Sequence, residues 1–311
     1  MNPVKKIVIA FFITVFCCSV AAYFVDAGLK KYLVHTDNKF NTLFVETTPY
    51  DILFVGSSRT HSNIDPSVID SITKLNSYNA GMDGANMYEF KTIIDGYLKI
   101  HPGPRYLVMN IDLFSFDTRR KLFNYTYYLP YYKNEKIDSV LKDNKHYAAM
   151  YRYMTFFLLS ELDDYAKSNA VRGFRHQTEI PPGRITYKGY LSTPNELLDT
   201  AHISIPAETM TIDIKAINDL DEIIQTCKTK HIKLIFTYAP EYRSMWQKNV
   251  TNAAGVFAVI SNIATKNQIS FFRYDSSEIC NHPNLFYNVR HLDRKGSLQF
   301  SAMLATDILN R

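Results

Sequence analysis

Two hydrophobic patterns alternate along residues 50–311 of the chain. Runs that are apolar at nearly every position predict buried strands, and apolar residues that recur every three or four positions predict helices. The strand-like runs read ILFVGSS from Ile52, SYNAGM from Ser77, RYLVMNIDLF from Arg105, HIKLIFTYAP from His231 and ISFFRYD from Ile269. The helical patterns cover residues 66–75, 88–100, 213–230, 253–266 and 294–310. Apolar strands separated by helices are typical of a parallel sheet covered on both faces, so we predict an α/β fold, a three-layer sandwich with a five-stranded parallel sheet.

Residues 115–205 interrupt this alternation. They are rich in aromatic side chains and include the stretch LFNYTYYLPYYKN. A segment of this length needs its own structure or a function, so we interpret it as a large aromatic-rich insertion. Its tyrosines have two interpretations. They pack the insertion against the main domain, or they form an aromatic wall for a carbohydrate or lipid acceptor.

The N-terminus carries one long apolar run. Lys5 and Lys6 precede residues 7–25, which contain no charged side chain. A helix of about 20 apolar residues spans the hydrocarbon core of a bilayer. Lysines on the N-terminal side of such a helix favour a cytoplasmic N-terminus. A cleaved signal peptide is the alternative, because Ser19-Val20-Ala21 fits a cleavage site, but the apolar run continues past it and favours an uncleaved anchor.

Together these patterns predict the domain organisation. A single-pass transmembrane anchor covers residues 1–25 and a juxtamembrane connector covers residues 26–49. The α/β domain then covers residues 50–311 with its insertion at 115–205. This topology places the main domain in the periplasm or outside the cell.

Composition narrows the class of protein. Hydrophobic residues make up 46% of the chain and charged residues 21%, which indicates a globular protein with a full core. The net charge of +5 is scattered, and we predict no nucleic-acid partner. Cys227 and Cys280 are the cysteines of the predicted α/β domain, and a disulfide or two thiols are both compatible with that location. No Cys/His spacing resembles a zinc site. The serine chemistry set out below requires neither a metal nor an organic cofactor, so none is predicted.

Polar residues follow three of the predicted strands. Ser57 and Ser58 come after the first strand behind a glycine, Gly84 closes the segment after the second, and Asn110 and Asp112 follow the third. The carboxyl ends of parallel strands meet at one edge of the sheet, where ligands bind in open α/β folds. The sequence therefore predicts that these residues gather at one site.

The order of these residues resembles the SGNH, or GDSL-like, hydrolase superfamily, which is defined by four sequence blocks. Gly56-Ser57-Ser58 matches the first block, Gly-Asp-Ser, with Ser57 in place of Asp. Residues 79–84 match the second block, Asn-x-x-x-x-Gly. The third block, Gly-x-Asn-Asp, is represented only by MNIDL. Residues 288–296 match the spacing of the fourth, Asp-x-x-His-x-Asn-x-x-Gly, with Asn288 in place of Asp.

The resemblance covers residues 50–114 and 230–311 and implies an SGNH/flavodoxin-like fold. It implies that Ser58 is the nucleophile and Gly84 the oxyanion-hole glycine. An N-terminal anchor joined to a Gly-Ser-Ser first block is most similar to the branch that includes alginate O-acetyltransferases and the D-alanyl transfer protein of teichoic acid synthesis. That branch acts on envelope polymers, which implies an acyl donor delivered by a membrane partner.

The chemistry of these residue types agrees with that role. A serine hydroxyl needs a base to become nucleophilic, and His291 follows the last strand and can supply one. The backbone N–H groups of Ser58 and Gly84 can stabilise an oxyanion. Asn110 can donate from its side chain, whereas Asp112 aligns better with the family's Asn but cannot donate when ionised. We therefore favour Asn110, with Asp112 and Ser57 as alternatives in the site.

Asn288 leaves three interpretations open. An amide oxygen can orient the imidazole of His291 without adding charge, so the two can work with Ser58 as they stand. Asp293 or Asp275 can instead supply the carboxylate. The third interpretation is a weakened or inactive site. Near the nucleophile, Arg59 and His61 fit either a solvated loop face or substrate contact.

The sequence thus predicts a membrane-anchored serine esterase or O-acyltransferase. Its substrate is an acylated glycan or another envelope polysaccharide, and the acyl group is carried on Ser58. Hydrolysis and transfer share the acyl-enzyme and differ in whether water or an acceptor attacks it. The alternative function is a catalytically weakened protein of the same fold that binds glycan or assembles a surface complex.

Overall fold

Five strands form one parallel sheet in the computed structural model, which confirms the predicted fold class. The strands are Ile52–Val55 (β1), Ser77–Asn79 (β2), Tyr106–Asn110 (β3), Lys233–Tyr238 (β4) and Ser270–Arg273 (β5). They lie in the order β2-β1-β3-β4-β5, and every neighbouring pair is parallel. The structure describes residues 2–123, 125–143, 162–177, 180, 183–195, 198–199 and 203–310. Residues 144–161 of the predicted insertion lie outside that set.

Helices cover the sheet and build a separate unit at the N-terminus. In chain order they are Pro3–Thr36 (α1), Lys39–Phe44 (α2), Ser58–Asn63 (α3), Pro66–Thr73 (α4), Met87–Leu98 (α5), Tyr125–Tyr128 (α6), Glu135–Asp143 (α7), Asp164–Phe174 (α8), Ile214–Thr229 (α9), Met245–Asn249 (α10), Ala253–Lys266 (α11) and Arg294–Leu309 (α12). Two antiparallel hairpins pair Thr186–Tyr187 with Tyr190–Leu191, and Phe286–Asn288 with His291–Leu292. The described chain divides into two units, Met1–Glu46 with Asn124–Ile180, and Thr47–Phe123 with Pro181–Arg311.

Strand β1 is the centre of the sheet end that carries the site. All four of its residues are buried, and it pairs with β2 on one side and β3 on the other. Beyond β1 the chain turns sharply at Gly56, where a Cβ atom would overlap the hydroxyl of Thr60. Only glycine therefore fits where α3 begins directly behind the strand, and this close approach places both serines at the carboxyl edge of the sheet.

Main-chain hydrogen bonds extend this edge past the ends of the strands. The N–H groups of Ala80 and Met82 donate to Phe54 and Gly56 at 2.8 and 3.0 Å. On the other side of β1, Ile111 donates to the carbonyl of Thr237 in β4 at 2.9 Å. The segments after the strands are consequently fixed to one another rather than left as free loops.

The C-terminal hairpin is held against α3. The side-chain oxygen of Asn63, at the end of α3, accepts the Leu292 N–H at 3.1 Å. Asp293 then caps α12 by accepting the Gly296 N–H at 2.7 Å. Leu292 is fully buried, in the same apolar cluster as Phe300 of α12. These contacts fix the hairpin strand that carries His291 against α3, the first helix after β1.

The N-terminal unit is built on α1 and α8. Leu29 and Leu33 of α1 are buried, and the two helices approach closely at Gly28 and Gly173, where a Cβ atom on either would overlap the other helix. Tyr127, Tyr128 and Tyr131, from the start of the insertion, pack on Phe40 of α2 within this unit, and the Tyr128 ring lies edge-on to Phe40 with ring centres 4.8 Å apart. These rings therefore have packing partners within the N-terminal unit, and both interpretations of the insertion's tyrosines stay predictions.

Helix α1 is longer than the predicted anchor. Among the described residues it is the helix long and apolar enough to cross a membrane, and it is therefore a candidate membrane anchor. Its most apolar window is only 6% buried, whereas the segment after Asp26 packs on α8. In the other unit, Cys227 and Cys280 are both buried free thiols and are not joined in a disulfide.

The two halves of α1 predict different results of truncation. A chain beginning at Asp26 should stay folded and leave the membrane fraction without detergent, because the deleted residues bury little surface. A chain beginning at Asp37 also loses Leu29 and Leu33 and should melt at a lower temperature, since each buried leucine contributes roughly 2–3 kcal/mol. Circular dichroism melts and detergent-free extraction test this pair. An aggregated or unfolded 26–311 chain beside a folded full-length protein would contradict the expectation.

Candidate active site

Ser58, His291 and Asn288 form one hydrogen-bonded chain at the carboxyl edge of the sheet. The hydroxyl of Ser58 lies 2.8 Å from Nε2 of His291. Nδ1 of the same ring lies 3.0 Å from Oδ1 of Asn288. Ser58 is the first residue of α3 and is partly exposed, whereas Ser57 is fully buried. Of the two adjacent serines, Ser58 is therefore the one that faces both the imidazole and solvent.

The surroundings of Asn288 determine the tautomer of His291. The Asn288 side-chain oxygen accepts the backbone N–H groups of Arg290 and His291, each at 3.0 Å. Those two donors identify the atom facing the ring as the amide oxygen, which can only accept. Nδ1 of His291 must then carry the proton, and Nε2 presents its lone pair to the Ser58 hydroxyl. The arrangement leaves Nε2 as the atom that can remove the proton from Ser58.

The charge of His291 is set by its surroundings. Burial lowers the pKa of the imidazole from its ordinary value to about 4, and the positive charges of Arg59 and Arg290 add to this effect. Asp83 and Asp112 act in the opposite direction but do not offset it. The ring is consequently neutral at neutral pH, which is the form that a general base requires.

The two carboxylates considered as partners of His291 are engaged elsewhere. Asp293 caps α12, and burial raises the pKa of its carboxyl. Asp275 pairs with the guanidinium of Arg273 at 2.5 Å. Of the three side chains considered from the sequence, Asn288 is the one that contacts the imidazole of His291 in the structure.

Ser57 and Asp112 belong to a buried polar cluster beneath the nucleophile. The Asp112 carboxylate accepts the hydroxyl of Ser57, Nη1 of Arg59 at 2.6 Å and Nδ2 of Asn110 at 3.1 Å. The hydroxyl of Ser57 in turn accepts the Arg59 N–H at 3.2 Å and caps α3. Asp112 is 0% exposed and acts as an acceptor for three side chains. Its position explains why an acidic residue is compatible with this part of the site.

The burial of Arg59 corrects one of the two interpretations made from the sequence. Arg59 is 1% exposed, so it does not lie on a solvated loop face, and its guanidinium is bonded to the Asp112 carboxylate and to the carbonyls of Ala239 and Pro240. Burial by itself would lower the pKa of the guanidinium, but the Asp112 carboxylate, with Tyr238 and Glu241, raises it instead. An Arg directly after the predicted nucleophile and an Asp after the neighbouring strand are the sequence signal that could have indicated this pair.

The two predicted oxyanion-hole residues differ in their local structure: the Asn110 side chain is hydrogen-bonded between two strand ends, whereas Gly84 is distinguished by its backbone conformation. Oδ1 of Asn110 accepts the Ala239 N–H at 2.8 Å while its Nδ2 donates to Asp112. Its amide thus ties β3 to the segment after β4 and retains one N–H beyond the bond to Asp112. Gly84 adopts a left-handed backbone with φ of 67°. Gly81 is the glycine packed directly on α3, since a Cβ there would overlap the His61 N–H. The oxyanion roles of Gly84 and Asn110 stay predictions.

Other groups around the site have structural partners. His61 is mostly buried and its Nδ1 lies 3.0 Å from Asp83. Over the described part of the chain, no cluster of three or more His, Cys, Asp or Glu side chains is arranged to hold a metal ion.

Comparisons with known proteins found similarity in solved structures alone. No protein-family model and no curated protein matches the chain. A candidate lipolytic protein of the G-D-S-L family from Desulfitobacterium hafniense is 9% identical, with a TM-score of 0.42 over 84% of this chain and 99% of that one. A candidate acylhydrolase from Bacteroides fragilis is 13% identical, with a TM-score of 0.40 over 86% and 93%. A GDSL-like lipase from Bacteroides thetaiotaomicron is 9% identical, with a TM-score of 0.39 over 83% and 87%. At these scores the likenesses bear on neither the reaction nor the substrate of this chain.

The low pKa of His291 predicts how activity depends on pH. Because the neutral ring is the base, kcat/KM should stay level as pH falls and drop only near pH 4, where the ring becomes protonated. Asn288→Asp adds a negative charge that stabilises imidazolium, so this drop should move to higher pH while activity at neutral pH is kept or raised. Asn288→Ala removes the orienting oxygen and should lower kcat/KM by roughly 10-fold or more.

Asp293→Ala and Asp275→Ala are the matched controls. Asp293→Ala removes a helix cap and should cost roughly 1 kcal/mol of stability while leaving kcat/KM close to the wild-type value. A folded Asp293→Ala variant without activity, beside an unaffected Asn288→Ala variant, would show that the carboxylate comes from Asp293 and that the Asn288 assignment is wrong.

Proposed function

We propose that the protein is a serine esterase or O-acyltransferase that carries an acyl group on Ser58. The observation that supports this most strongly is the chain of hydrogen bonds from Ser58 through His291 to Asn288. A hydroxyl 2.8 Å from a neutral imidazole nitrogen has the geometry of an activated nucleophile. Its place at the carboxyl edge of a parallel sheet leaves room for a substrate beyond the strands.

The reaction follows from these positions. Nε2 of His291 takes the proton of Ser58 while Oγ attacks the ester carbonyl, and a tetrahedral oxyanion forms. Backbone N–H groups of Ser58 and Gly84, with the amide of Asn110, donate to that oxyanion. The oxyanion then collapses, the bond from the carbonyl carbon to the alkoxide breaks as imidazolium gives its proton to the leaving alkoxide, and the acyl group remains on Ser58. Water or an acceptor hydroxyl, deprotonated by His291, attacks the acyl group, and the second intermediate collapses with cleavage of the bond to Oγ of Ser58, which takes its proton back from imidazolium.

The absence of charge on Asn288 changes the balance of these steps. A ring with a pKa of about 4 is a weak base, but once protonated it is a strong acid. Once it has taken the proton of Ser58, it therefore gives that proton readily to a leaving alkoxide. This property is compatible with an acyl ester of a carbohydrate hydroxyl as substrate.

The N-terminal helix supports a location at the membrane. We infer that residues 1–25 anchor the chain with its N-terminus in the cytoplasm, since Lys5 and Lys6 precede the apolar segment. The catalytic unit then faces the periplasm or the cell exterior and acts on an acylated glycan of the envelope. A transferase also needs an acyl donor, for which a membrane partner protein is the source we propose.

Replacement of the two serines separates the nucleophile from its neighbour. Ser58→Ala should lower kcat for a chromogenic acetyl ester by roughly 1,000-fold or more, as expected for loss of a catalytic nucleophile. Ser57→Ala should remain active but lose roughly 1–2 kcal/mol of stability, because it loses a helix cap and the bond to Asp112. Full activity in Ser58→Ala would show that another group is the nucleophile.

The direction of acyl flow is tested on envelope glycans. Mass spectrometry would compare the ester content of glycans from cells that produce wild type or Ser58→Ala. An esterase removes acyl groups when Ser58 is present, and a transferase adds them. An active protein that leaves this ester content unchanged would contradict the glycan assignment. A wild type that never reacts with esters would favour the alternative function, glycan binding on the same fold.

A further inference from the structure

We propose that Arg59 is a positioning residue for Ser58 and that it acts through its buried ion pair with Asp112. The inference rests on the proposed function, because Ser58 is the nucleophile there. In this arrangement Arg59 contacts no substrate. It fixes the first turn of α3 against the ends of β3 and β4, and thereby fixes the direction in which the Ser58 hydroxyl points.

The contacts of the Arg59 side chain reach two strand ends. Nη1 lies 2.6 Å from the Asp112 carboxylate, just after β3. Nη2 donates to the carbonyls of Ala239 at 2.5 Å and Pro240 at 3.3 Å, just after β4. The guanidinium carbon also lies 4.4 Å from the centre of the Tyr238 ring. Since Arg59 itself follows β1 by four residues, one side chain connects the ends of three adjacent strands.

Both chain neighbours of Ser58 are tied to the same carboxylate. Ser57 donates its hydroxyl to Asp112 and accepts the Arg59 N–H, while the Arg59 side chain reaches Asp112 from the other side. These bonds close a ring that contains the residue before the nucleophile and the residue after it. The backbone of Ser58 is therefore held from both sides, and its hydroxyl remains outside the ring beside His291.

A buried ion pair is a weak source of net stability compared with apolar packing, because each charge loses its hydration. Five N–H donors in a rigid plane offer what an apolar side chain lacks, namely a defined direction for each contact. The property that this pair adds to the fold is therefore a fixed geometry at the nucleophile. A shift of about 1 Å in a reacting group can lower a rate by roughly 100-fold, so the loss of that geometry is measurable.

Arg59 also acts on His291 through its charge. The charged groups that face the imidazole are Arg59 from α3, Arg290 from its own hairpin, Asp83 from the segment after β2 and Asp112 from the segment after β3. Arg59 lowers the pKa of His291, and Asp112 raises it. Removing Arg59 leaves the Asp112 charge unopposed and should raise that pKa toward its ordinary value. Removing the Asp112 charge should not raise it.

The test compares three substitutions in the full-length protein with a matched control. Arg59→Lys keeps the charge but loses the planar fork, Arg59→Gln removes the charge, and Asp112→Asn removes the opposing charge. Arg120→Gln is the control, because it removes the charge of an arginine in the same unit that also pairs with an aspartate, Asp219 at 2.7 Å, but at a partly exposed position. For each variant, steady-state kinetics on an acetyl ester gives kcat and KM, NMR of labelled histidine gives the pKa of His291, and thermal melting reports folding.

The expected result is a change in kcat without a matching change in KM, together with a change in the pKa of His291 in one variant only. A general loss of stability would not produce this combination. All three substitutions should lower kcat by about 10- to 100-fold with KM little changed, because Arg59 and Asp112 lie beneath the substrate side. Arg59→Gln should raise the pKa of His291, whereas Arg59→Lys and Asp112→Asn should not. Arg120→Gln should change neither quantity.

Wild-type kcat in a folded Arg59→Lys or Arg59→Gln variant would overturn the proposal. If Arg59→Gln does not fold, Arg59→Lys decides the matter through kcat alone. If the wild type has no esterase activity, the proposed function fails and the NMR readout still decides the geometry. In that case the Nε2 signal of His291 is compared between variants. If that signal shifts on Ser58→Ala but is unchanged by all three substitutions, Arg59 does not position Ser58.

Discussion

A carboxylate without access to water must find its donors inside the protein, and Asp112 meets this constraint at the carboxyl edge of the sheet. Ser57, Asn110 and Arg59 all donate to it. Asn110 belongs to β3, and the other two donors flank the nucleophile. The sheet thus supplies the fixed acceptor, and the first turn of α3 is organised around it. His291, which contacts this turn, is fixed by its own hairpin, whose Leu292 N–H donates to Asn63 at the other end of α3 and whose next residue, Asp293, caps α12.

The resulting site separates two tasks that an Asp-containing triad combines. Orientation of the imidazole is achieved by the Asn288 amide oxygen, which also accepts two backbone N–H groups. Charge near the imidazole comes instead from a cluster in which positive groups outweigh negative ones, and with burial this keeps the ring neutral to about pH 4. At neutral pH the ring is therefore in the form that a general base requires.

Sequence patterns predicted the parts of this structure that depend on local periodicity. The five apolar runs and the helices between them follow from the alternation of buried positions, and helix α4 begins at Pro66 behind Asp65, its capping residue, as its sequence indicates. Ser58 and His291 are 233 residues apart, and their common site was predicted from the positions of polar residues after the strands together with the four-block resemblance. The spacing of Asn288 and His291 matched the fourth block, but the partner of the imidazole was left open.

The features that escaped prediction depend on long-range contacts between polar residues. A charged side chain after a strand is ordinarily exposed, and Arg59 is buried because acceptors distant in sequence satisfy it: the Asp112 carboxylate, 53 residues away, and the carbonyls of Ala239 and Pro240. Periodicity also gives no information on which side chain, Asn288 or one of the nearby aspartates, contacts His291; the structure shows Asn288 there, while Asp293 caps α12. The close approach of α1 to α8 rests on two glycines that no local pattern connects.

The central claim is that Ser58 carries the acyl group, and direct trapping tests it. The full-length protein would be mixed with an activated acetyl ester, quenched in acid within milliseconds to seconds, and digested for peptide mass spectrometry. The account predicts one acetyl group on the peptide that contains Ser58, at that residue and not at Ser57, and none in Ser58→Ala. Acetylation at another residue, or turnover of the ester by wild type with equal turnover by Ser58→Ala, would contradict it.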